Sequence, residues 1–221
     1  MKRIQEPDLM DTTEQAEAYA AADFSGPHNA FVSHFIDKFS KFTTGNILDM
    51  GCGTGDVIMR FARSLPEVHI TGIDGSDAML IIASREISRH KMSSRIKLRK
   101  SYIPDPELSQ KKYDAVISNS LLHHMNTPEK MWQTINETAR DGAPILIMDL
   151  MRPANEDKVL EYVNKYAADA PAILQEDFHN SLLAAYTLDE VSTQLHSCGL
   201  GYLRVENISD RHLLVGGVFN G

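Results

Sequence analysis

Between Thr12 and Phe42 the apolar residues recur at helical spacing. The helical stretch opens near Asp11, where Thr12 and Thr13 suit a helix start, and an Ala-rich run follows to Ala22. Gly26-Pro27 is expected to break it. A second helix is predicted from about Asn29, with Phe31, Val32, Phe35, Ile36 and Phe39 along one face. From Asn46 the texture changes. Short apolar runs read as buried strands at 46–48, 69–73, 96–99, 114–118 and 145–148, and helices are predicted at 56–63, from Ser76 to Arg89, and from Thr127-Pro128 to Ala139. Pro128 suits a first helical position, since its missing N–H is not needed there. Strands apolar on both faces that alternate with helices predict a parallel sheet covered by helices.

After Pro153 the alternation lapses. Residues 156–185 read as helices with no strand between them, an insertion too long for a plain connection. Thr187-Leu188-Asp189-Glu190 is a capping box, opening a helix that ends at Gly199. Runs at 202–206 and 213–218, split by Ser209-Asp210-Arg211, predict a closing antiparallel hairpin. The organisation expected is one domain over 1–221: an N-terminal helical lid (1–44), a core (45–151), a helical insertion (152–186), and a final helix and hairpin (187–221).

Composition narrows the function classes. The 221 residues carry 22 Lys+Arg and 30 Asp+Glu, a net charge of −8. An acidic chain without a long basic run is a poor candidate for gripping nucleic acid or an anionic membrane. Its uncharged apolar stretches, such as 78–83, are too short to span a bilayer. Glu6, Asp8, Asp11 and Glu14 leave no apolar segment for a secretory signal at the start. Two cysteines, Cys52 and Cys198, with no CxxC pair, exclude a disulfide scaffold or a cysteine-rich zinc site and fit a reducing compartment. No metal-ligand spacing stands out, and none is expected. The expected location is the cytoplasm.

The strongest chemical signal is Asp49-Met50-Gly51-Cys52-Gly53-Thr54-Gly55, between the first strand and the first core helix. Glycines there allow a sharp turn and close approach of a ligand to the backbone. A dinucleotide fingerprint would need glycine where Asp56 stands, and Asp49 would repel a diphosphate. A carboxylate beside a glycine turn suits a cationic, amine-bearing ligand instead. Asp74, at the end of the second strand, stands where such sheets put the acid that binds ribose hydroxyls. The alternative is a tight turn flanked by two solvated acids.

With Gly72-Ile73-Asp74, Tyr113-Asp114-Ala115-Val116 and Leu122-His123-His124, this pattern resembles the class I S-adenosylmethionine-dependent methyltransferases, and among them the small-molecule group. The likeness covers about 45–150 well, and 202–218 by arrangement only. It implies a Rossmann-like α/β fold with seven strands, mostly parallel with the last antiparallel, and S-adenosyl-L-methionine as cofactor. It further implies that Gly51, Cys52, Gly53 and Gly55 lie against the methionine part of the cofactor and that Asp49 holds its ammonium. Asp74 and Gly75 would meet the ribose, and Met79 would pack near the adenine. Two positions depart from the family pattern. Ser101-Tyr102 stands where an acid often bonds the adenine amine, and Asp141-Gly142-Ala143-Pro144 replaces a glycine-pair turn.

After the fourth strand, Ser118-Asn119-Ser120-Leu121 lacks the Pro-Pro-aromatic run of methyltransferases acting on amide or exocyclic amine nitrogens. Asn119 is a further cofactor-side candidate. His123 and His124 sit where a base could reach the methyl, His124 ahead; the alternative has one ring bonded to the sheet or cofactor rim and the other in solvent. Asp149 is read as contacting substrate or as capping the Met151-Arg152-Pro153 turn. Tyr19, near the lid break, is a candidate for the cofactor carboxylate. Arg152 is a candidate for a substrate carboxylate or phosphate, with Arg211-His212 bordering the pocket. The insertion holds Tyr162, Tyr166, Phe178, His179 and Asn180, with Tyr186 at its end; it reads equally as an acceptor pocket, a homodimer surface or a plain cap. A small-molecule acceptor is expected. The rivals are other chemistry on the same cofactor and a non-catalytic methyltransferase-like partner protein.

Overall fold

The alternating runs close into a single seven-stranded sheet in the computed structural model, which describes residues 1–6 and 12–221. Asp8 and Asp11 lie outside the described residues. The strands are β1 (Thr44–Met50), β2 (Glu67–Asp74), β3 (Ile96–Lys100), β4 (Ala115–Asn119), β5 (Pro144–Leu150), β6 (Arg204–Asn207) and β7 (His212–Val218). Their order across the sheet is β3-β2-β1-β4-β5-β7-β6. β1 to β5 run parallel, and β7 pairs antiparallel with both β5 and β6. The order reverses beside β1: β2 and β3 lie on one side of it and β4 on the other. At such a switch point the loops at the carboxyl ends diverge and leave a crevice.

Helices cover both faces. On one, α2 (Ser25–Lys38), α3 (Asp56–Ser64) and α4 (Asp77–Arg89) bury Phe31, Phe35, Phe61 and Ile87 against Ile47, Ile70 and Ile117. On the other lie the short α5 (Pro106–Ser109), α6 (Glu129–Thr138) and, further along, α9 (Leu188–Ser197); Trp132, Ile135, Val191 and Leu195 pack there on Leu48, Val116 and Ile145. Alternate residues of each strand thus serve opposite faces, which is why the strands read as unbroken apolar runs.

The remaining helices gather at the carboxyl edge. α1 (Thr13–Ala21) sets Ala16 and Tyr19 against Met79 and Ile82 of α4. α7 (Glu156–Tyr166) and α8 (Ala172–Ala184) pack on each other through Val159, Phe178 and Leu182. Gln15 of α1 donates to Asp177 of α8 at 3.2 Å, joining the two groups across the crevice.

Two local expectations are corrected. Gly26-Pro27 does not interrupt the lid: α2 begins at Ser25 and holds both residues in its first turn. Proline is tolerated there because first-turn N–H groups have no helical partner. The chain turns instead at Ala22–Phe24, where Asp23 accepts from Ser25 N at 2.9 Å. Likewise Pro128 caps α6, which starts at Glu129, rather than opening it.

Candidate active site

The glycine loop leaves β1 and enters α3 through three left-handed positions, Gly51, Gly53 and Gly55, with φ of +75°, +51° and +82°. The backbone amides of Gly51 and Cys52 donate to Ile73 O at 2.9 Å, tying the loop to β2. Gly53 has open space where a side chain would start, so ligand atoms can come close to the backbone there. Asp74 organises this turn from β2. Its carboxylate accepts Gly53 N at 2.8 Å and Ser76 N at 2.9 Å. Each carboxylate oxygen keeps a further lone pair for a ligand hydroxyl. Burial raises the Asp74 pKa, against the lowering effect of these amides.

Asp49 is 1% exposed, and its Oδ1 has no hydrogen-bond partner among the described residues. Asn119 Oδ1 is also buried and unpartnered. Both residues line a small recess against the glycine loop, together with Tyr19, His28 and Cys52. Burial, then the charge of Asp74, pushes the Asp49 carboxyl well above the usual range. Burial also pushes up the Cys52 thiol, so Cys52 meets a ligand only as an apolar wall. Tyr19 stacks on Phe24 with ring centres 4.6 Å apart. Burial, with Asp56 and Asp74 nearby, raises its hydroxyl to about 12, so it is a neutral donor.

A cavity of about 1200 Å³ opens from this point along the carboxyl edge. Gly51, Gly53, Asp74, Gly75, Met79, Ser101, Tyr102, Asn119, His123, His124 and Tyr19 all reach its wall. Tyr102 closes one end, its ring over Gly75, where a Cβ would fall 2.6 Å from a ring carbon. Ser101 donates to Asp105 at 2.5 Å, and Arg99 pairs with the same carboxylate at 2.6 Å. An acid does follow β3, but it is engaged with these neighbours. Tyr166, Phe178, Arg211 and His212 border the far part of the cavity. The Arg211 guanidinium stacks 3.4 Å from the Tyr166 ring centre. Burial, then Arg211, depresses the His212 pKa to about 4, keeping that ring neutral at pH 7.

Several candidates have other employment. Asp149 neither caps the following turn nor reaches the cavity wall. It is 1% exposed and accepts from Leu122 N and Leu150 N at 2.7 Å, with His123 Nδ1 2.6 Å away. Burial opposes charge on His123, but Asp149 outweighs it and raises the imidazole pKa. Arg152 is buried, bonded to Glu190 at 2.6 Å and to Ala185 O at 3.2 Å, and does not line the cavity. Tyr186 gives its hydroxyl to Met125 O at 2.7 Å. His179 and Asn180 bond one another at 3.4 Å.

Two site features were not anticipated. Asp56, at the position that excludes a dinucleotide fingerprint, binds His28 and Arg60, each at 2.7 Å, and so holds α2 over the loop. Burial raises the Asp56 pKa, but the His28 and Arg60 hydrogen bonds overcome it and bring it to about 2. Glu6 meets His124 and joins His123 in a group whose ligand-type atoms lie within 4.8 Å of one another. The signal was invisible in sequence because Glu6 lies more than a hundred residues from the histidines.

A doubly wound sheet with a glycine turn and two strand-end acids at its switch point defines a nucleoside-binding α/β protein. The chain belongs to the methyltransferase-domain family, whose model matches residues 42–194. A demethylmenaquinone methyltransferase of Porphyromonas gingivalis is 29% identical over 125 residues, covering 54% of this chain and 49% of the relative. A release factor glutamine methyltransferase of Gloeobacter violaceus is 29% identical over 92 residues, 41% of this chain and 31% of the relative. The chain thus spans half or less of the length of these relatives. The plantazolicin methyltransferase solved in complex with SAH superposes with a TM-score of 0.71 at 16% identity, over 94% of this chain and 91% of that one. An Aquifex aeolicus SAM-dependent methyltransferase gives 0.65 at 16%, over 92% and 97%. At such identity the likeness is one of fold. No helix among the described residues is long and apolar enough to cross a membrane.

Proposed function

We propose that this chain transfers a methyl group from S-adenosylmethionine to a small-molecule acceptor. The observation that carries the reading is the pair of buried, unpartnered acceptors, Asp49 Oδ1 and Asn119 Oδ1, at the glycine loop. Unpaired buried oxygens call for a donor, and the added charge of Asp74 calls for a cationic one. An amino-acid ammonium satisfies both demands. Tyr19 would donate to the accompanying carboxylate, Asp74 would accept from a ribose diol, and Met79 with Tyr102 would flank a base.

Bound there, S-adenosylmethionine supplies an electrophilic methyl on a sulfonium. The protein then has to align an acceptor and keep water away, and alignment alone is worth about 7–11 kcal/mol. Leu121, Met125, Leu150, Leu174 and Phe178 give the outer cavity an apolar wall suited to excluding water. A cavity of about 1200 Å³ exceeds the ~300–1,000 Å³ of ordinary single-ligand pockets, which favours two molecules side by side. Residues of α1 and α8 roof it, which favours an acceptor small enough to be enclosed. His124 lines this cavity and is the residue proposed to take a proton from the acceptor.

Calorimetry with S-adenosylmethionine and S-adenosylhomocysteine tests the cofactor, and incubation of the protein with labelled cofactor and a metabolite extract tests the acceptor. Saturable binding with label appearing in a low-mass product is expected. Binding of neither nucleoside would overturn the reading; label confined to protein would overturn the small-molecule part.

A further inference from the structure

Residues 1–6 lie between the turn at Leu122–His124 and the last part of α8. Arg3 fastens them. Its guanidinium donates to Ala184 O at 2.5 Å, His123 O at 2.8 Å and Met125 O at 3.2 Å, and it covers the Tyr186 ring at 4.3 Å. Ile4 N donates to Leu183 O at 3.0 Å. Glu6 is thereby delivered to the histidine pair with its side chain 9% exposed. One carboxylate oxygen meets His124 Nδ1, and the other accepts from Ser181 at 2.6 Å. The Glu6 carboxylate is thus the charged partner set against that buried ring nitrogen.

We propose that Glu6 is a positioning residue for His124, holding the ring by Nδ1 so that Nε2 takes the proton from a protic acceptor. The inference rests on the methyl-transfer reading and names its substrate class: a hydroxyl, thiol or N–H compound, rather than a thioether or tertiary amine. The acceptor's bond to hydrogen breaks, and the proton passes to Nε2. The electron pair left on the acceptor atom forms the bond to the methyl carbon, and the old carbon–sulfur pair departs with the thioether. The imidazolium formed is balanced by Glu6.

The groups facing His124 support a proton site. Glu6 and Arg3 come from the N-terminal strap, His123 from the same turn with Asp149 behind it, Asp177 from α8 and Asp74 from β2. Burial raises the Glu6 pKa, but the His124 contact, the two imidazoles and Ser181 overcome it and hold the carboxyl below its ordinary value. The two rings lie 4.0 Å apart, tilted by 39°. His123 is the member locked by a buried acid, and both rings line the cavity. A shared divalent cation is the competing use of the same atoms.

Nitrogen-15 NMR of the histidine-labelled full chain distinguishes these. The expected result is a neutral His124 protonated at Nδ1, a tautomer preference that is lost in Glu6→Gln and regained in Glu6→Asp. A neutral Nε2–H form in the wild-type chain, or a tautomer population that Glu6→Gln leaves alone, would overturn the pair. So would stoichiometric zinc binding that perturbs both rings, which would assign a metal centre instead. Calorimetry of wild-type protein with S-adenosylmethionine, run beside it, separates failure of the pair from failure of the methyl-transfer reading, since the NMR readout needs no cofactor.

Discussion

Asp49 Oδ1 has no hydrogen-bond partner among the described residues, so an ionised carboxylate there goes uncompensated without a ligand. Its pKa is raised by burial and Asp74, so at neutral pH its ionised form opposes folding, and a bound cation relieves that opposition. Asp49→Asn is therefore expected to melt no lower than wild type without ligand, yet to bind S-adenosylmethionine tenfold or more weakly, about 1.4 kcal/mol. Thermal melts and calorimetry check both halves, and unchanged affinity would remove the ammonium role. Asp149 is the opposite case, a buried carboxylate with every demand met. Asp149→Ala leaves His123 and two amides bare and is expected to destabilise by about 3–5 kcal/mol in urea melts. Because the His123 pKa is raised, its contribution is fully present below the ordinary imidazole range and fades as pH rises through the elevated value. The gap between the two proteins should narrow accordingly toward alkaline pH.

At the scale of elements, Phe31 and Phe35 bury the lid on the sheet, and polar contacts fix it over the glycine loop. α2 is pinned by His28 on Asp56 and by Asn29 on Arg60 at 2.5 Å. Asp56→Asn removes the charge that gathers both partners, and faster amide exchange in α2 with weaker cofactor binding is expected. The Asp56 pKa is depressed, so its contribution is present above the ordinary carboxylate range and is lost as pH falls through about 2. Hydrogen exchange at neutral pH reads the substitution directly, and unchanged α2 protection would refute the anchoring role. The misread lid break has the same lesson at this scale. Gly26-Pro27 is a breaker only inside a helix, and the first turn forgives both residues.

For the whole molecule, acids converge on one edge. Asp49, Asp56, Asp74 and Asp177 come from separate elements yet line the crevice and its adjoining recess. If the crevice takes the cofactor, saturation stabilises the whole fold. At a hundredfold excess over Kd the gain is about 2.7 kcal/mol, a rise in Tm of roughly 5–10 °C for a chain of this size. A flat thermal shift with both nucleosides would contradict the binding reading.

Local and periodic information lies open in the sequence. The alternating runs, the capping box at Thr187 and the glycine turn beside Asp49 are each decided within a few residues, so they predict the sheet, its closing hairpin and the region of the cofactor crevice. Roles that depend on distant partners are not local. Asp149 belongs to His123, Arg152 to Glu190, Asp56 to His28, and His124 to Glu6, each across more than twenty residues of chain. A side chain's charge state and employment follow from who is brought beside it and how much water is excluded, and only the packed sheet with its lid decides that.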